Sequence, residues 1–196
     1  MFLVAGLGNP GEQYALTPHN LGFLTVDRLG ERHGIRIRRK DSRALVGVGE
    51  IEGFPVMLAK PQTFMNLSGP SLRSLMEKHQ VELGRLVVVY DELDLSWMAL
   101  KIKPKGSAAG HNGMQSVIDS LDTSEFVRVR LGIHPGRPVK DGADFVLAPF
   151  RRSQMKELDE LVDYAADAVR SIIAEGVAKA MTKFNRRAPG SNIEEE

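Results

Sequence analysis

The chain has 196 residues, enough for one domain with a sizeable buried core, and its 42% hydrophobic and 26% charged residues are an ordinary globular mix. Cysteine is absent, which excludes disulfides, thiolate metal ligands and a thiolate nucleophile, and suits a reducing compartment. The formal net charge of +1 points to no partner by itself, and the longest apolar runs, such as Leu86 to Val89, are far too short to cross a membrane.

Phe2 to Ala5 reads as a short buried strand ended by Gly6. This start has no basic region and breaks at glycine, so it is not a signal peptide. A loop rich in glycine and proline follows. Thr17-Pro18 then marks a helix start, because threonine is a good N-cap and proline suits the first helical position. Asp27, Arg28, Glu31 and Arg32 fall on one side of that helix, Leu21, Leu24, Val26 and Leu29 are available for the core, and Gly34 ends it.

Ala44 to Ile51 and Phe54 to Ala59 read as strands joined at Gly53 in a hairpin. Ser71 to His79 reads as a helix. Leu86 to Tyr90, β-branched and wholly apolar, has the pattern of a central strand covered on both faces. Leu100 to Lys103 is a short strand, Gly106 to Gly110 a flexible loop and His111 to Leu121 a helix. Phe126 to Ile133 alternates apolar and basic residues, which predicts a strand with one polar face. Met155, Leu158, Val162, Ala165, Val169 and Ile172 mark a long amphipathic helix capped by Ser153, and a shorter helix follows Gly176. The alternation of strands and helices predicts an α/β protein with a mixed, mostly parallel twisted sheet flanked by helices. One domain spans residues 1–185, and 186–196 form a loose tail.

Two motifs mislead. Gly6, Gly8 and Gly11 match G-x-G-x-x-G after a strand and invite a dinucleotide-binding reading. Pro10 removes an N–H that a phosphate cradle would use. The helix starts too late to hold a pyrophosphate at that turn, and Glu31 lies on a helix instead of ending a second strand. Leu86 to Glu92 resembles the strand-plus-acid that holds magnesium in nucleotide hydrolases, but no G-x-x-x-x-G-K-[ST] loop accompanies it. No nucleotide cofactor is expected.

Arg36, Arg38, Arg39 and Lys40 cluster, as do Lys101, Lys103 and Lys105. On a near-neutral chain such clusters either contact phosphate or are solvated loop charge. Asn9, Asn66 and Asn112 stand beside glycine or apolar anchors, His19 opens a helix, and Asp91 follows a buried strand, where ligands gather in α/β sheets. Asparagine beside glycine is commonly turn chemistry, and a histidine in a first turn is commonly structural. His33, His79 and His134 are read as structural. Taken together, the set allows a hydrolytic site. The positive end of the helix dipole disfavours an imidazolium at His19. A carboxylate, best supplied by Asp91, would fix the ring's tautomer, and side-chain amides would stabilise an oxyanion. Without cysteine or a G-x-S-x-G elbow, direct attack by water is favoured over an acyl-enzyme.

GLGNPG from Gly6, Y-x-x-T-x-H-N from Tyr14, TFMNLSG from Thr63, YDELDL from Tyr90 and GHNG from Gly110 together resemble the bacterial peptidyl-tRNA hydrolase family. The resemblance implies cleavage of the ester between a peptide and the 3′ end of tRNA, by a metal-free monomer of the cytoplasm. It implies that His19 is the base and Asp91 its orienting partner. Asn9 and Asn66 would hold the peptide and the 3′-terminal portion of the substrate. Asn112 would position water and contact the nucleotide end. Tyr14, Met65 and His111 would line the same cleft. Lys103 and Arg130 would receive the tRNA 5′ phosphate, with Lys105 as their neighbour.

Two rival readings use the same residues. One is an RNA-binding module of the same fold without chemistry. The other is a metallohydrolase on His19, Asp91, Asp94 and His111, although their spacing matches no compact metal motif.

Overall fold

A computed structural model describes residues 1–189. One seven-stranded sheet has the order β2-β3-β4-β1-β5-β7-β6. The strands are β1 (Phe2–Gly6), β2 (Arg39–Asp41), β3 (Ala44–Ile51), β4 (Phe54–Pro61), β5 (Leu86–Ser96), β6 (Leu100–Lys103) and β7 (Val127–His134). The central pairs β4–β1, β1–β5 and β5–β7 are parallel, and the remaining three are antiparallel. The sheet is mixed and mostly parallel at its centre, as expected.

Side-chain alternation along the central strands feeds two cores. Val4, Val87, Val89 and Val129 point to one face, covered by α1 (Leu21–His33), α5 (Met155–Glu175) and α6 (Val177–Phe184). Leu3, Val88 and Tyr90 point to the other, covered by α2 (Ser68–Lys78) and α3 (Asn112–Leu121). The candidate site lies at the carboxyl ends of the parallel strands, where ligands gather in α/β sheets.

The glycines of the misleading G-x-G-x-x-G pattern serve packing. A Cβ on Gly6 would lie 2.1 Å from the Gly22 carbonyl oxygen, and one on Gly22 would lie 2.3 Å from that of Val89. The start of α1 therefore crosses the end of β1 at backbone contact, which only glycine permits. On the solvent side, Arg28 of α1 pairs with Asp159 and Asp163 of α5, and Arg32 pairs with Asp163 and Asp167.

Several sequence expectations need correction. Thr17 has cap-like extended dihedrals, but its hydroxyl donates to the Tyr14 carbonyl at 2.8 Å instead of capping. A 3-10 turn over Pro18–Asn20 precedes α1. The helix expected from Ser71 begins at Ser68, since Pro70 fits within a first turn. Ser153 does not cap α5. It lies in a 3-10 turn, where the Gln154 side chain accepts the Arg151 N–H at 2.9 Å.

β7 has no solvated polar face either. Arg128 is 0% exposed because that face is covered and backbone carbonyls receive its guanidinium. The tail is not loose from residue 186. Leu100 N–H donates to Arg186 O, Ala188 N–H donates to Met98 O, and Asn185 bonds both backbone groups of Ile102. β6 is an edge strand whose free backbone groups need partners, and this segment supplies them. The remainder of the tail, 190–196, lies outside the described residues. No helix among the described residues is long and apolar enough to cross a membrane.

Candidate active site

β1 ends at Gly6, and Leu7 N–H still bonds Val89 O at 3.0 Å before the chain turns away from β5. The gap that opens beside Asp91 admits side chains from three other loops. Asp91 is 1% exposed and sits in the extended part of β5. Its carboxylate is 2.8 Å and 3.0 Å from His19 Nδ1, and 2.9 Å from His111 Nε2. Burial opposes ionisation of Asp91. The pull of His111 and His19 and their hydrogen bonds outweigh it and hold the carboxyl well below the usual carboxylate range.

The tautomers follow from the partners. His111 is the N-cap of α3, and its Nδ1 accepts the Met114 backbone N–H at 3.1 Å. In the neutral ring the hydrogen is therefore on Nε2, where it is donated to Asp91. His19 Nδ1 faces the same carboxylate, so it too carries a hydrogen, and His19 Nε2 is left as the free acceptor. The two imidazoles lie 4.8 Å apart between centroids, and the Tyr90 ring meets His111 edge-on at 5.0 Å. Burial pushes the Tyr90 phenol up to about 12, so it stays neutral.

Asn9 is held from two sides. Its backbone N–H and C=O bond the Asn20 carboxamide at 2.8 Å and 3.0 Å, and its Oδ1 accepts the Met65 N–H at 2.9 Å. That last bond orients the amide, so Nδ2 is the donor available to a ligand. Met65 lies against Gly113, where a Cβ would come within 2.4 Å of its sulfur, and this contact brings the Asn66 and Asn112 loops together. Both asparagines have exposed side chains.

These groups surround a cleft of about 580 Å³. His19, Asp91 and Asn9 line it with Asn66 and Asn112, and Tyr14, Met65 and His111 complete the expected set. Lys103, Lys105 and Arg130 lie outside it, on the antiparallel pair β6–β7 and the loop after β6. Arg130 reaches towards it through Glu92, a buried cleft residue whose carboxylate it meets at 3.2 Å.

Sequence reasoning gave Asn20 no role of its own, placing it only as the last residue of the Y-x-x-T-x-H-N stretch. It also missed α4 (Gly142–Leu147), whose Ala143, Val146 and Leu147 form an apolar wall of the cleft with Leu93 and Phe64. A signal for α4 was present: Asp141 is an N-cap type, and its Oδ1 accepts the N–H groups of Ala143 and Asp144. His79, read as structural, follows the last residue of α2 and bonds Asp41 of β2 at 2.8 Å, away from the cleft.

The ligand atoms of His19, Asp91 and His111 all lie within 4.8 Å of one another, close enough to converge on an ion. The donor set argues for a different use. His111 Nε2 carries a hydrogen as long as Nδ1 accepts from Met114, so binding a metal there would require breaking the α3 cap or forming an imidazolate. A carboxylate receiving two imidazole N–H groups is a device for fixing rings, with a free base nitrogen and convergent amides in front of it.

The chain is similar to known proteins along nearly its whole length. The family model described as peptidyl-tRNA hydrolase matches residues 3–192. A peptidyl-tRNA hydrolase of Solibacter usitatus is 77% identical over 195 residues, covering 100% of both chains. That of Koribacter versatilis is 49% identical, over 95% of this chain and 94% of its own. The crystal structure of peptidyl-tRNA hydrolase from Acinetobacter baumannii superposes with a TM-score of 0.90 at 31% identity, covering 97% of each chain. The chain thus belongs to the peptidyl-tRNA hydrolase family of enzymes.

Proposed function

We propose that the cleft hydrolyses the ester between the peptide and the 3′ end of peptidyl-tRNA by direct attack of water. The observation that carries this reading is the 2.8 Å contact of His19 Nδ1 with a buried, ionised Asp91, which leaves Nε2 as a free base. His19 Nε2 takes a proton from water as its oxygen attacks the ester carbonyl. Asp91 stabilises the imidazolium that forms. The Asn9 Nδ2 donor and the free carboxamides of Asn66 and Asn112 serve the oxyanion, the peptide and the terminal nucleotide. Collapse of the tetrahedral intermediate breaks the ester bond. The proton on His19 passes to the departing ribose oxygen, giving free tRNA and a peptide carboxylic acid.

Tyr14 and Met65 shape the wall of the cleft, while His111 acts through Asp91. Lys103, Arg130 and Lys105 take the 5′ phosphate, which lies at the same end of the acceptor stem as the 3′ terminus. The enzyme works as a monomer in the cytoplasm, without metal or nucleotide cofactor; absent cysteine and the packing role of Gly6 support this reading.

The test is His19→Ala, with folding followed by circular dichroism and release of peptide from peptidyl-tRNA as the readout. The expected loss is on the order of 10³-fold or more in kcat. Turnover within a few-fold of the unaltered enzyme would remove His19 from the chemistry. Tight binding of tRNA without hydrolysis by the unaltered chain would favour the RNA-binding module instead.

A further inference from the structure

Arg128 is the largest of the fully buried side chains, and the hydrolytic mechanism does not use it. Burying a guanidinium is costly unless its donors are satisfied. Here backbone carbonyls satisfy them. Nη1 donates to Gly106 O at 2.7 Å and Ser107 O at 3.3 Å, and Nη2 donates to Ser124 O at 2.6 Å. Nε makes a longer contact with Phe126 O at 3.4 Å, and the guanidinium carbon lies 4.4 Å from the Phe126 ring centroid. Among the described residues no carboxylate pairs with Arg128, whereas Arg130, two residues along β7, has Glu92.

The position of this unneutralised charge is informative. Arg128 stands directly across the ladder from Lys103, and Lys103 Nζ and Arg128 Nη1 flank the same residue, Gly106. The Pro104–Gly110 loop carries Lys105 and delivers His111 to Asp91. The loop is pinned at Gly106 and Ser107 by Arg128 and at Ala108 by burial, and the Ala108 carbonyl accepts the His111 N–H at 2.9 Å.

We propose that Arg128 is a positioning residue for recognition of the 5′ phosphate: its fork fixes the lysine-bearing loop, and its unpaired charge leaves that loop ready for an anion. This rests on the reading of Lys103, Lys105 and Arg130 as the 5′-phosphate contacts. A planar guanidinium reaches the Gly106 and Ser124 carbonyls from two separate nitrogens of one rigid fork, a geometry that the single nitrogen of a lysine ammonium does not reproduce. Retaining the charge alone is therefore insufficient.

The experiment compares kcat/KM for peptidyl-tRNA with its 5′ phosphate and for the same substrate after phosphatase treatment. It uses the unaltered enzyme, Arg128→Lys and Arg128→Gln. The ratio of the two values cancels the active fraction of each preparation. The unaltered enzyme should prefer the phosphorylated substrate by about tenfold. Both variants should lose that preference to within about twofold, through KM.

Equal losses on both substrates, with the preference kept, would make Arg128 a staple of the fold alone and overturn the proposal. A missing preference in the unaltered enzyme would overturn it too, by removing the phosphate site while leaving hydrolysis intact. No turnover of either substrate would instead sink the hydrolase reading. Should neither variant fold, hydrogen exchange on the unaltered enzyme decides. A 5′-phosphorylated acceptor-stem RNA should slow exchange at Ser107 to Gly110 more than its dephosphorylated form, and equal protection by both overturns the proposal.

Discussion

Asn20 grips the backbone of Asn9 with both ends of its carboxamide, accepting from Asn9 N–H at 2.8 Å and donating to Asn9 C=O at 3.0 Å. Asn20 is 2% exposed and adjoins His19, so one short segment sets the base and the orientation of a donor on a different loop. Both bonds are made in the interior, where leaving a backbone group unpaired costs roughly 1–3 kcal/mol. Asn20→Ala should lower stability by about that amount and reduce kcat by roughly 10–100-fold, as Asn9 loses its alignment. Asn20→Asp keeps the acceptor but sets a second oxygen against the Asn9 carbonyl in the interior, and should cost at least as much as the alanine variant. Unaltered kcat in the alanine variant would show that Asn9 is held well enough by Met65 alone.

His111 carries two separable duties, capping α3 through Nδ1 and bonding Asp91 through Nε2. His111→Phe loses both and should destabilise the protein by about 1 kcal/mol, the usual worth of a cap, while slowing turnover. His111→Asn restores a capping acceptor but cannot bridge to Asp91. It should recover most of the stability without recovering the rate. If the asparagine variant turns over as fast as the unaltered enzyme, Asp91 needs only His19.

Much of this was legible in the sequence because the signals are local. The run LVVVY before Asp91 announced a buried strand, although β5 runs on to Ser96, so Asp91 lies inside the strand and not at its end. Gly34 stopped α1 in a left-handed conformation, as a glycine there would. What stayed hidden depends on contacts distant in the chain. Alternation in β7 correctly put Arg128 and Arg130 on one face, but only the packing of α3 and the carbonyls at 106, 107 and 124 decide that this face is dry. His111 could be placed near the cleft by resemblance. Its bond to Asp91 depends on the path of the loop from Pro104, which the sequence does not signal. Asn20 had no signal separate from the histidine beside it.

The meeting of the Met65 and His111 loops depends on Gly113. A Cβ there would lie 2.4 Å from Met65 Sδ and 3.0 Å from His111 Cε1, so both neighbours would have to move. The methionine end is flexible and can yield, whereas the imidazole is tied at both nitrogens. Gly113→Ala should fold with a loss of roughly 1–3 kcal/mol from overpacking, and kcat should fall more than KM rises because Asn112 and His111 shift together. A rise in KM alone, with kcat unchanged, would show that the crowding is absorbed on the Met65 side.

Asp41 gives an acid-sensitivity signal distinct from the active site. Its carboxylate meets His79 Nε2 at 2.8 Å, Lys78 Nζ at 3.0 Å and Ser42 Oγ at 2.9 Å, tying the β2–β3 turn to α2. Burial opposes ionisation, but these partners lower its pKa from 3.8 to about 2. A carboxyl depressed on folding contributes stability that is present above its unfolded pKa and lost as pH falls through the folded one. The Asp41 contribution should thus be full above pH 4 and gone near pH 2. Urea unfolding of Asp41→Asn should show a deficit of about 1 kcal/mol at pH 6, tempered by solvent screening of the Lys78 side. The two curves should converge as the pH approaches 2. A deficit that persists unchanged at pH 2 would mean that the asparagine disrupts the turn itself and that the charge on Asp41 is irrelevant.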